Sequence, residues 1–208
     1  MRDLFVEQYA AFQHELTGIS QIEFVGTLVE LDGHGLGSKP EIFAQVSREW
    51  NLRAGMADRL LRHFWTDYDS TLRVDPAVPR LRLPEDTRVT LDALRHRGKK
   101  LGVITNGETI RQRKKLEMLG VTSVFDTVLI SETEGVRKPE REIFERALHR
   151  CDVEAHEAVF VGDHPDADME GARSAGLRAI WKYVPYWTLS TDEVTTVHRL
   201  TEILPLCV

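Results

Sequence analysis

The chain has 208 residues, with 42% hydrophobic against 29% charged residues and a formal net charge of −6. That length allows one domain with an appendage or two small domains, and the composition is that of an ordinary globular protein. The acidic balance argues against a nucleic-acid partner, and no apolar run approaches the ~18 residues that cross a bilayer, which argues against a membrane one.

In chain order, apolar residues first recur at three- and four-residue steps: Leu4, Phe5, Tyr9, Phe12 and Leu16, then Ile22, Val25, Leu28 and Val29. Ile42, Phe43, Val46 and Trp50 continue the pattern, followed by Met56, Leu60, Leu61 and Phe64. This is helical periodicity in about four segments, separated by Gly18-Ile19-Ser20, by Gly33 to Pro40 and by Asn51 to Gly55. The run Gly33, Gly35, Gly37 has no strand ahead of it and reads as a turn rather than a nucleotide fingerprint. Asp75-Pro76-Ala77-Val78-Pro79 reads as a linker, so the chain divides into a helical part, 1–75, and a second part, 76–208.

After the linker the period changes. A helix from about Pro84 to Arg97 precedes the apolar run Leu101-Gly102-Val103-Ile104. A helix over Glu108 to Met118 and a strand over Thr127-Val128-Leu129-Ile130 follow. Next come a helix over Pro139 to His149, a strand over Ala158 to Val161, a helix from about Asp168 to Ala175 and a strand over Arg178-Ala179-Ile180-Trp181. Four strands alternating with helices predict an α/β fold with a parallel sheet and right-handed crossovers. The basic stretch Arg111 to Lys115 is then the solvated face of a helix. Trp181, Tyr183, Tyr186 and Trp187 are expected to cover the sheet edge, with a dimer contact as the alternative. Cys151 and Cys207 have neither metal-ligand nor disulfide spacing, and Met1-Arg2-Asp3-Leu4-Phe5 does not read as a signal peptide; a reducing cytoplasm is expected.

Sites in such sheets lie at the carboxyl ends of the strands. The first strand ends in Thr105-Asn106-Gly107, a hydroxyl, an amide and a flexible backbone that suit a phosphoryl oxygen or, equally, cap a helix. Lys138 stands directly before Pro139, ahead of the third helix. The third strand runs into Gly162-Asp163, with Asp168 five residues on. Carboxylates at the end of a buried strand are costly unless something uses them, and a divalent cation is the usual user. His164 reads as a loop histidine facing water, and Asp166 as a solvated turn residue.

These motifs, in this order, resemble those of the haloacid dehalogenase-like hydrolases, most of which are phosphatases. Leu101 to Gly107 is similar to the family's second motif, Arg137-Lys138-Pro139 with Ile143-Phe144 to its third, and Val161 to Asp168 with Gly171 and Ala172 to its fourth. The resemblance implies a Rossmann-like parallel core over 76–208 and a helical cap over 1–75. It implies that Thr105, Asn106 and Gly107 bind the phosphoryl group of a small phosphorylated metabolite. Lys138 would neutralise that group, and Asp163 and Asp168 would hold Mg²⁺.

The family's nucleophile belongs to an Asp-x-Asp motif at the end of a first strand, ahead of the cap. No such strand precedes the helical part here. The one literal match, Asp67-Tyr68-Asp69-Ser70-Thr71, follows residues at helical spacing and reads as a decoy. The missing strand would lie between those at Leu101 and Ala158, leaving two interior edges. Either the natural polypeptide begins about twenty residues earlier, one strand and a turn, or this is a degenerate member; in both cases the chain as it stands is expected to be inactive or nearly so. A non-catalytic phosphate-ester-binding or regulatory homologue and a 2-haloacid dehalogenase are the alternatives. The latter is disfavoured by the metal position at Asp163, since that chemistry needs no metal. Monomer and homodimer both remain open, and the substrate is not legible.

Overall fold

Helical periodicity becomes four helices in the computed structural model, which describes residues 1–33, 37–71, 82–189 and 194–207. They are α1 (Arg2–Phe12), α2 (Gln21–Asp32), α3 (Lys39–Glu49) and α4 (Met56–Thr71). Local chemistry sets their ends. The Ser20 side chain accepts from the Glu23 amide at the start of α2, and Gly33, left-handed at φ 49°, closes it. The buried faces supply Phe5, Phe24, Phe43, Phe64, Leu28 and Leu60 to one core, in which the Phe5 and Phe64 rings stack at 5.6 Å. Ile22, expected on the apolar face of α2, is instead 87% exposed, and Phe24 takes the inward position. Polar side chains inside this core have partners: the Gln8 amide donates to the Leu60 carbonyl of α4 at 2.7 Å, and Lys39 pairs with Asp32.

Asp67, Tyr68 and Asp69 sit in the last turns of α4, where Asp67 pairs with His63 at 2.8 Å. They occupy a helix, not a strand end. The linker at Asp75 to Pro79 and residues 34–36 of the glycine run lie outside the described residues.

The chain forms two compact units, Met1–Arg80 and Leu81–Val208. The second contains α5 (Glu85–His96), β1 (Gly102–Thr105), α6 (Thr109–Met118), β2 (Thr127–Ile130), α7 (Ser131–Glu134) and α8 (Arg141–Cys151). It continues with β3 (Val159–Gly162), α9 (Gly171–Ser174), β4 (Arg178–Lys182) and β5 (Thr195–Val197). The third predicted helix starts at Arg141 instead of Pro139, because Glu140 is still extended and caps it. The fourth begins earlier than predicted, as a π-helical segment over Pro165–Glu170 that runs into α9. β5 was not predicted. It is three residues long with Thr195 and Thr196 exposed, too short and too polar for a periodicity signal.

All pairings are parallel. β1 pairs with β2, Thr105 opposite Ile130. Separately, β3 pairs with β4, Gly162 opposite Trp181, and β4 with β5. Among the described residues no ladder joins β1 to β3, so each keeps one edge without a strand partner. The two sheets nevertheless share their cores. Ile104 and Leu129 of the first pack with Phe160, Ala179 and the α8 residues Ile143 and Phe144. On the other face, Leu94 of α5 and Leu101 pack with Ile180, Val197 and Ile203. Strand edges that lie open between shared helices are where the fold departs from one continuous sheet.

Candidate active site

Three strand ends converge through a chain of hydrogen bonds. At the end of β1, the Asn106 side chain grips the main chain of Lys138: its amide donates to the Lys138 carbonyl and its oxygen accepts from the Lys138 N–H, both at 2.9 Å. Only a side chain with one donor and one acceptor in the same plane serves both. Thus the Asn106 side chain positions Lys138, and the Gly107 N–H donates to Ser131 Oγ at 3.0 Å. The Gly107 φ of 142° lies where L side chains are strained and favours glycine there. Thr105 is half-buried at the last paired position of β1.

Lys138 reaches Asp168 of the β3 end, Nζ to Oδ1 at 2.6 Å, and lies over the Phe160 ring at 5.4 Å. Asp168 is 4% exposed. Its second oxygen accepts from the N–H groups of Asp163 and His164, each at 3.0 Å. The approach is so close that a Cβ on Gly162 would stand 2.5 Å from that carboxylate. Gly162 is therefore a packing requirement of the site, not merely a turn residue.

His164 is half-buried and not the water-facing loop residue expected. Its Nδ1 accepts from the amides of Asp166 and Ala167, capping the π-helical segment, and its ring packs against Trp187 at 4.6 Å. The aromatic residues are also placed differently from expectation. β5 covers the edge of β4, while Trp181 donates its indole N–H to the Asp163 carbonyl at 3.1 Å. The Tyr186 phenol is pushed up by burial and by the nearby negative charge of Asp163. Asp166 is exposed, as read. Ser131 was missed; its one legible signal is its place directly after the β2 strand.

Asp168 has both oxygens committed, one to Lys138 and one to the N–H groups of the loop. Among the described residues no group of three or more His, Cys, Asp or Glu side chains is placed to hold a metal ion. Mg²⁺ is usually held by one or two carboxylates, with phosphate oxygens and water completing its shell, and Asp163 beside Asp168 fits that pattern.

Parallel strands wound with helices, with a lysine–aspartate pair near their carboxyl ends, make this an α/β protein with a Rossmann-like core. The haloacid dehalogenase-like hydrolase family model matches residues 38–182. The chain belongs to that family. It is 36% identical to the glyceraldehyde 3-phosphate phosphatase of Pyrococcus furiosus over 132 residues, 60% of this chain and 55% of that protein. It is 41% identical to the phosphoserine phosphatase of Thermus thermophilus over 137 residues, 66% of this chain and 53% of that protein. The chain thus spans about half the length of the curated relatives it matches. Among solved structures, a HAD phosphatase from Thermococcus onnurineus superposes with a TM-score of 0.66 at 25% identity, covering 99% of this chain and 91% of that one. A 2-haloacid dehalogenase from Pseudomonas syringae gives 0.62 at 25% identity, with coverage of 99% and 88%. No described helix is long and apolar enough to cross a membrane.

Proposed function

We propose that the strand-end cluster binds the phosphoryl group of a small phosphorylated metabolite together with Mg²⁺, as the site of a phosphatase. The observation that carries this reading is the coupling of Asn106, Lys138 and Asp168 across separate strand ends. It holds an ammonium group at the strand ends, on the carboxylate that also accepts from the Asp163 N–H. Thr105 would supply a short donor, Lys138 would offset the negative charge of the phosphoryl oxygens, and Asp163 would hold the cation. Phosphoryl transfer is mostly positioning and charge stabilisation, so these groups suit it. A bound Mg²⁺ would polarise the phosphoryl oxygens. The helical unit is read as the cap, and the relatives' small phosphate esters set the substrate class.

On this reading the 208-residue chain by itself turns over little. Asp168 is engaged by Lys138 and the loop, and Asp163 is read as the cation's carboxylate, so among the described residues of the α/β unit this cluster offers no further aspartate for the nucleophile's role. The test measures binding of inorganic phosphate with Mg²⁺, and hydrolysis of a panel of small phosphate esters. Saturable phosphate binding that is lost in Lys138→Ala, with little turnover, is the expected result. Supplying an apolar strand that ends in Asp-x-Asp ahead of Met1 should raise turnover. Failure of phosphate to bind overturns the site, whereas robust hydrolysis by the chain alone overturns the inactivity and promotes Asp67. Halide release from a 2-haloacid, insensitive to chelator, would move the assignment to the dehalogenases.

A further inference from the structure

A second cluster lies at the opposite end of the strands, where β1 and β4 begin. Arg97 and Lys99 come from the turn ahead of β1, and Arg178 is the first residue of β4. Beside them an open cavity of about 650 Å³ is lined by Arg97, Lys99, Leu204, Pro205 and Cys207. Arg97 donates to the Leu204 carbonyl at 2.6 Å and Arg178 to the Leu206 carbonyl. Each bond uses one of the five N–H groups of a guanidinium and neutralises no charge.

Several arginines elsewhere in this unit have an acidic partner: Arg95 with Asp126, Arg141 with Glu145, Arg146 and Arg150 with Glu134. Among the described residues Arg97, Lys99 and Arg178 pair with no acid, although the chain carries 33 Asp and Glu against 27 Lys and Arg. The three also share a direction. Burial raises the Cys207 thiol above its ordinary range, and Arg178, Lys99 and Arg97 all act against that rise, so their positive charge falls on the same sulfur. Three cations over an apolar floor of Leu204 and Pro205 repel one another more strongly than they would in open water.

We infer that this cavity is a binding site for a small multivalent anion, separate from the strand-end cluster. Two guanidinium forks and an ammonium match a phosphoryl or polycarboxylate group, and a single negative charge would leave the cluster in excess. The site lies outside the proposed catalytic chemistry and does not depend on it.

The test uses the intact chain and reads alkylation of Cys207 by neutral iodoacetamide, followed by mass spectrometry of its peptide, without Mg²⁺ and at ionic strength fixed with sodium chloride. Pyrophosphate and citrate are the probes. Either should slow modification of Cys207 in a saturable way while Cys151 is unaffected; the more protective probe identifies the class, phosphoryl or carboxylate. Lys99→Gln should raise the concentration needed for protection about tenfold, the worth of one charge-assisted hydrogen bond. It removes a cation without touching the Leu204 and Leu206 carbonyls, so the C-terminal segment keeps its anchors. Arg178→Gln should weaken protection too, and because it also releases the Leu206 carbonyl its effect is read against that of Lys99→Gln. No protection by either probe overturns the inference, as does protection that both variants leave undiminished.

Discussion

Each unit contains a buried lysine–aspartate pair, and the two pairs differ in what surrounds them. In the helical unit Lys39 and Asp32 are 5% and 2% exposed. Lys39 also donates to the Gly37 carbonyl at 3.0 Å and lies over the Phe64 ring at 5.6 Å. That pair fastens the connection between α2 and α3 and is enclosed by the core. In the α/β unit Lys138 and Asp168 are 14% and 6% exposed. They bridge the strand ends of two sheets that, among the described residues, no ladder joins. The same two side chains thus form a fully enclosed pair in one unit and a somewhat more exposed pair at the strand ends in the other. Only the second is placed where α/β sheets carry their chemistry.

The largest expected effect comes from breaking both pairs. Lys39→Ala leaves an enclosed carboxylate unpaired and should destabilise the helical unit by about 3–5 kcal/mol. Lys138→Ala should cost about 1–3 kcal/mol, because Asp168 keeps two backbone N–H partners and its site is more open. Urea unfolding with hydrogen exchange resolved to each unit measures both. Equal losses would mean that the strand-end pair is as enclosed as the core one.

Gly162→Ala sharpens the comparison within the α/β unit. Its Cβ would displace the Asp168 carboxylate, so a loss of about 1–3 kcal/mol from overpacking is expected, together with weaker phosphate binding in calorimetry. Stability lost without any change in binding would detach Gly162 from the site.

The smallest effect is in the acid range. Glu134 is held below its ordinary value of 4.5 by hydrogen bonds from Arg150 and, after the opposing effect of burial, from Arg146. Asp126 is held below 3.8 by the Leu101 N–H and by Arg95. A depressed carboxyl group contributes stability that is fully present above its ordinary value and is lost as pH falls through its lower folded value. The α/β unit should therefore begin to weaken below about pH 4.5, and Glu134→Gln should flatten that limb in pH-dependent unfolding.

The helices of the first unit and four of the five described strands were legible because burial writes its period into the chain: 3.6 residues for α1 to α4, short apolar cores for β1 to β4. That Lys138, Asp163 and Asp168 would lie near strand ends was legible from the strand runs that precede them. β5 was not, since three residues carry no period. The roles of Asn106 and His164 were not legible either. An amide that clamps another residue's backbone and an imidazole that caps a turn have the same letters as a ligand-binding amide and a solvated histidine.

Residue order alone therefore determined the helices α1 to α4, the strands β1 to β4, their parallel winding and the strand ends that carry charge, because each follows from local periodicity and from the limits on burying polar groups. Tertiary structure alone decided which of those groups are engaged with one another. It committed Asn106 to the Lys138 backbone, Asp168 to Lys138 and the loop, and Asp67 to His63 on a helix. The physical reason is that a hydrogen bond depends on distance and direction between residues remote in sequence, and neither is written in their spacing.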